Sequence, residues 1–238
     1  MSEYFDRRAR LGPTNIAMSR VLGPNECGNV LKPLYATRGL MFPYTPDVVF
    51  IRNANYNDFH FTHSNYRFNQ YQNSGVNEIQ VTGEFSVQSE EEGRYLIAAI
   101  RFLQSVTMSE FGLSTPLEKR GTPPPVLRFN YLGEQMFRNV PVVVSMVSFN
   151  FDRSIDYVPI TLASNESTET RLSVGQRLPD GTPNMIATGR ASSPSTTYVP
   201  TKMLITTTLL LQPNPKKIRD NFSVRDFKTG KLVREGYI

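Results

Sequence analysis

Hydrophobic and polar residues alternate strictly over "NEIQVTGEFSVQ", residues 77–88. Ile79, Val81, Phe85 and Val87 fall on one face, and Glu78, Gln80, Thr82, Glu84 and Ser86 fall on the other. A period of two, with one apolar and one polar face, is the signature of a strand in a half-covered antiparallel sheet. Gly83 interrupts the apolar side and reads as a candidate bulge. The period then changes. In "SEEEGRYLIAAIRFLQSVTMSEFG", residues 89–112, Leu96, Ala99, Ile100, Leu103 and Val106 recur at spacings of three and four and form one helical stripe. Ser89 and Glu92 make a capping box, and Glu90, Glu91 and Glu92 put negative charge where the helix dipole favours it. Gly112 is the expected stop. The pattern predicts one helix over about 89–111, roughly 30–35 Å long, with Leu96, Ile100 and Leu103 facing the core.

The remaining pattern is one of strands and turns. Pro43 and Pro46 keep their neighbours extended ahead of a short strand at Val48 to Ile51. Aromatic and polar residues alternate through Phe59, Phe61, Tyr66, Phe68 and Tyr71, with a break near Ser64. Pro123 to Pro125 form a rigid lead-in to the strand Leu127-Phe129-Tyr131. Val140 to Phe149 is apolar on both faces at first, which predicts cover on both sides, by helix and sheet or by a neighbouring subunit. Residues 161–198 are rich in Ser, Thr, Asn, Gly and Pro and read as a long loop. "YVPTKMLITTTLLLQPNP" supplies one more strand. Residues 1–38 show no sustained period and are broken at Gly12-Pro13, Gly23-Pro24 and Lys32-Pro33, the look of an arm. The expected organisation is an N-terminal arm over 1–38, a mainly antiparallel β domain with one long helix over 39–212, and a C-terminal segment over 213–238.

Charge sharpens this division. Residues 1–38 carry six basic and three acidic side chains, and residues 213–238 carry seven and three. The stretch between them holds 13 basic and 15 acidic residues, so the net +5 lies wholly at the two ends. Phe222, Phe227, Leu232, Tyr237 and Ile238 are interleaved with the C-terminal cations. Segments that bind phosphate alone need charge rather than apolar area, so these five are candidate docking residues. Apolar residues make up 39% of the 238-residue chain, enough for a core. Cys27 is the single cysteine, so no internal disulfide forms, which fits assembly in a reducing cytoplasm. No apolar run approaches the roughly 18 residues of a membrane span, and the N-terminus lacks the apolar core of a signal peptide.

Chemistry-bearing patterns are sparse. His60 and His63 are three apart, and on a strand they point to opposite faces, a poor arrangement for one metal. "TGKLV" at 229–233 lacks the upstream glycine and the hydroxyl of a phosphate-binding loop. No G-x-S-x-G elbow occurs. No cofactor or metal is expected.

Six segments stand in a fixed order: "GLMFPYTPDVVFIRNANY", "EIQVTGEFSVQSEEEGRYLIAAIRFLQSVTMSEFG", "GTPPPVLRFNYLG", "VPVVVSMVSFNFDRSIDYV", "VPTKMLI" and "FSVRDFKTGKLVREGYI". Together they resemble the baseplate tail-tube initiator proteins of contractile-tailed phages, over most of the chain from Gly39 to Ile238. The resemblance implies a structural virion protein with a tail-tube β-barrel or sandwich and a flanking helix. It implies a homo-hexameric ring between baseplate hub and tail tube or tube cap, assembled in the host cytoplasm. DNA crosses the channel without specific binding, and the tape-measure protein is a further possible neighbour. Glu78, Gln80, Thr82 and Glu84 are then candidates for lining the channel, and sheet edges adding strand to strand would join the copies.

Related main-tube and tube-cap subunits share that fold, so the tier in the stack stays open. Two other function classes compete. A baseplate enzyme that cuts cell wall needs a carboxylate pair in a cleft. A sequence-tolerant nucleic-acid binder is suggested by a pI near 9.3 and the aromatics at 59–71, but the basic residues lie at the ends instead of beside those rings.

Overall fold

The computed structural model describes residues 7–14, 18–23, 29–111, 120–162, 172–177, 183–187 and 195–238. Seven strands build one antiparallel sheet: β1 (Arg10–Gly12), β2 (Leu40–Met41), β3 (Asp47–Phe59), β4 (Phe68–Ser86), β5 (Leu127–Tyr131), β6 (Phe137–Asn150) and β11 (Lys202–Leu211). Their order across the sheet is β2-β1-β5-β6-β11-β4-β3. The chain is mainly β, as the alternation predicts. The sheet is open, with β2 and β3 as its edges, so among the described residues the chain closes no barrel of its own.

One face of this sheet is covered. The helix α3 (Glu90–Ser105) lies on it together with two short helices, α1 (Met18–Leu22) and α2 (Pro33–Thr37). A hairpin of β7 (Tyr157–Leu162) and β10 (Ser195–Pro200) packs beside α3. Ile79, Val81, Phe85, Val140, Val142 and Ile205 point into the layer between, where they meet Leu96, Ala99, Phe102 and Leu103 of the helix. The period-two face of 77–88 is therefore the floor of the core.

Gly83 is no bulge. The register between β4 and β11 runs unbroken through it, from Leu209↔Ile79 to Lys202↔Ser86. Its bare Cα makes room for a ring, because a Cβ there would stand 2.2 Å from Cδ1 of Phe42. Close approach is the other reason for a glycine inside a strand.

The helix opens as predicted. The Ser89 hydroxyl accepts from the Glu92 amide, and the Glu92 carboxylate accepts from the Ser89 amide. It closes earlier than predicted, at Ser105 with Val106 as its cap. Ser105 Oγ donates to the Phe102 carbonyl at 2.7 Å, and Thr107 Oγ1 donates to that of Gln104 at 2.8 Å. These hydroxyls satisfy the last carbonyls locally, which favours ending a helix over extending it. Gly112 lies outside the described residues. At 16 residues the helix spans about 24 Å. Its stripe also needs one correction. Ile100 is only half-buried, while Ala98 and Phe102 are fully enclosed.

Two further expectations change. The described residues of 1–38 do not form an arm. β1 sits inside the sheet between β2 and β5, and Ala9, Leu11, Val21, Leu22 and Leu34 belong to the core. The β1 backbone passes so near the turn before β2 that a Cβ on Gly12 would stand 2.4 Å from the Arg38 carbonyl oxygen. Residues 161–198 are not one structureless loop either. They contain the end of β7, a paired hairpin of β8 (Leu172–Arg177) and β9 (Pro183–Ala187), and the start of β10.

Candidate assembly surfaces

Among the described residues the other face of the sheet is largely exposed over β3, β4 and the second half of β6, while the C-terminal segment borders it at Arg128 and Pro141. Pairing places side chains on it in rows: Asp47, Thr82, Thr206 and Ser148 in one, Val49, Gln80, Thr208 and Met146 in the next, then Glu84, Leu204 and Asn150. Each row is built from partners on adjacent strands, whose side chains share a face. All four residues expected to line a channel lie here, Glu78 and Gln80 exposed, Thr82 and Glu84 half-buried. Their chemistry is one hydroxyl, one amide and two carboxylates, of which Glu84 is paired with a cation. Thr82 and Thr206 share a hydrogen bond at 3.3 Å, and Lys202 pairs with Glu84 at 3.0 Å. The two apolar faces of β6 are treated differently. Val140, Val142 and Val144 are buried under the helix layer, whereas Met146 on the open side is 56% exposed.

A second surface grows out of this sheet. β4 pairs with β11 only from Ile79 onward, but it pairs with β3 down to Phe68. Residues 52–59 and 68–76 therefore form a two-stranded ribbon that runs beyond the other strands, about 25–30 Å long. Apart from the half-buried Asn53 and Val76, its residues are exposed. Tyr56 and Tyr71 meet edge to face at 5.7 Å, and Phe61 and Phe68 at 5.4 Å near the tip. Phe61 is 61% and Tyr66 79% exposed. The break near Ser64 is the ribbon's turn. His60 and His63 sit in that turn and not on a strand, His63 with positive φ.

The two edges of the sheet are unequal. β2 has two residues, and Tyr95 of α3 occupies its outer side. The Met41 amide donates to the Tyr95 hydroxyl at 2.8 Å, and that hydroxyl donates to the Met41 carbonyl at 2.9 Å. Burial pushes the Tyr95 phenol above its usual range, although the Met41 bond works against this. β3 has 13 residues, and among the described residues its outer side pairs with no strand.

The C-terminal segment turns back on its own chain. It comprises α4 (Pro215–Asn221), α5 (Val224–Lys228) and a 3-10 turn at Lys231–Glu235. Leu232 is buried, Phe227, Tyr237 and Ile238 are half-buried, and Phe222 stacks on both Phe227 and Tyr237. Ile238 packs against the core. At the ribbon's base Arg52 donates to the Ile238 main-chain oxygen at 3.0 Å and lies 5.2 Å above the Phe227 ring. All five candidate docking residues are thus engaged within the chain, and Phe222 remains 41% exposed. Their apolar character did foretell packing. It could not say that the surface they pack on belongs to the same molecule.

The concavities hold little reactive chemistry. A cavity of about 440 Å³ under the C-terminal segment has one carboxylate on its wall, Glu235. A smaller one beside Pro123 and Pro125 has Glu110. An apolar groove of about 310 Å³ between α3 and the β7–β10 hairpin has none. No cluster of three metal-ligating side chains exists among the described residues. The Asp152 carboxyl is held below its usual range by hydrogen bonds from the Ser154 amide and hydroxyl, an exposed turn rather than a site. No helix among the described residues is long and apolar enough to cross a membrane. No family model matches the chain, and no curated protein matches it.

Proposed function

We propose that this chain is a structural subunit of a phage baseplate and tail tube, and that six copies close into a ring around a channel for DNA. The observation that carries this reading is the sheet's uncovered face and the ribbon continuous with it. An antiparallel sheet commonly leaves one polar face to water, and here that face runs on into a ribbon that exposes aromatic rings, which cost free energy in water. Both make sense on a molecule completed by its own copies. The open face suits a lumen. Its rows mix Thr, Ser, Asn and Gln with the carboxylates Asp47, Glu78 and Glu84, and the cation Lys202 is paired with Glu84, so the face is acidic to neutral. An acidic-to-neutral wall offers DNA phosphates no strong hold, so the strand slides past.

In this reading the copies join hub to tube, and the free β3 edge and ribbon supply part of the contact between them. Catalysis has no place in it. The test is electron microscopy of the purified chain, with maleimide-gold attached to a Gln80→Cys variant in a Cys27→Ser background. Six-fold rings with gold in the central hole are expected. Particles that stay monomeric, or rings with gold on the outer rim, would sink the proposal.

A further inference from the structure

The two sheet edges cannot close a ring between them. A ring needs a head-to-tail contact in which two different surfaces of the chain meet. Strand addition from β3 of one copy to β2 of the next is blocked by the Tyr95 hydroxyl, which already holds the outward amide and carbonyl of Met41. Pairing β3 with a second β3 is isologous and stops at a dimer. The ribbon therefore requires another receptor on the neighbouring copy.

The groove between α3 and the β7–β10 hairpin has the matching character. Its walls carry Ile97, Ile100, Leu162 and Val199, and Tyr198 stands on its rim at 67% exposure. Ile100 explains why the groove exists. It belongs to the helical stripe that faces the core, yet no element of its own chain covers it completely. The ribbon tip offers Phe59, Phe61, Tyr66 and Phe68, all exposed. A buried aromatic removes about 150–250 Å² from water. At 44%, 61%, 79% and 54% exposure the four hold about 350–600 Å² still open to water, the larger part of the roughly 800 Å² per partner of a stable interface, and the amides of the ribbon add the rest. The rim residue Gln104 matches the ribbon's amides, while the ribbon's single carboxylate, Asp58, is paired with Arg67 of the same ribbon.

We propose that the aromatic tip of one copy's ribbon seats in the α3/β7–β10 groove of the next. This deepens the ring reading and rests on it. The test uses the full chain with Cys27→Ser. One preparation carries Tyr66→Cys, another Tyr198→Cys, and the two are mixed before assembly and mild oxidation. Both positions are well exposed, so the fold of each copy is kept. A covalent pair joining the two variants is expected, several-fold above the yield from either preparation alone. A pair formed as readily by Tyr66→Cys alone means ribbon meets ribbon and overturns the docking. Rings without the mixed pair overturn the docking and leave the ring reading standing. A chain that sediments as a monomer at every concentration overturns both.

Discussion

β4 is two strands in one. From Ile79 to Ser86 its apolar side is sealed in the core, β11 pairs along its whole length, and β3 pairs on the other side as far as Thr82. From Phe68 to Val76 the same strand has one neighbour, and its side chains are exposed apart from Val76. Both halves alternate, and both carry aromatic rings. The difference lies only in what the rest of the chain brings to them. Alternation therefore specifies a strand and its two faces, but cover comes from elsewhere, and a strand can outrun the layer meant to bury it. The ribbon is such an overrun, and its rings are the unspent part of the sheet's apolar surface.

Substitutions in the two halves should behave in opposite ways. The largest effect is expected at Phe85, fully enclosed against Phe42. Phe85→Ala should lower stability by about 3–5 kcal/mol in chemical denaturation. Along the helix, Leu103→Ala should cost about 2–5 kcal/mol. Ile100→Ala should lose clearly less than Leu103→Ala in the same measurement, because half-burial leaves less to remove. Equal losses at the two sites would mean that Ile100 is covered within its own chain.

At the plugged edge, Tyr95→Phe leaves the Met41 amide and carbonyl unpartnered and should cost about 1–3 kcal/mol. The same variant should blunt the loss of stability at high pH. The folded phenol binds its proton more tightly than the free one, whose value is 10.0. Its contribution is therefore complete below that pH and drains away as pH climbs past it. A wild-type and variant pair with identical alkaline profiles would contradict this. Arg52→Ala, at the ribbon's base, removes one hydrogen bond and one cation–π contact and should cost only about 1 kcal/mol. Its readout is faster hydrogen exchange in the ribbon's first residues. The smallest effect belongs to Phe68→Ala, within about 0.5 kcal/mol for the isolated chain, while assembly of the same variant should weaken markedly in sedimentation.

The same contrast explains what the sequence could tell. The strand at 77–88 and the capping box of Ser89 and Glu92 were legible because period and cap are local. The aromatic alternation around Phe61 and Phe68 was legible as extended chain, and the break near Ser64 marked the turn. Which faces are covered was not legible, because cover depends on pairings far apart in sequence. β1 escaped notice because three residues are too few to show a period, although its Leu11 is a core residue. Gly83 was misread because its reason is the ring of Phe42, 41 positions away, and nothing in the local pattern names that contact. Leu232 and Tyr237 announced that they pack, and only the fold could show that they pack at home. The channel-lining candidates share one wet face of the sheet because they alternate.

One hydroxyl has a consequence for this chain at high concentration. An unguarded strand edge is a template on which identical molecules stack without end. Had both edges of this sheet been open, a crowded pool of copies would have had a route to fibres. Tyr95 closes that route at β2. Stacking through the remaining edge ends with the second molecule, so the pool can grow concentrated while its sheets stay discrete.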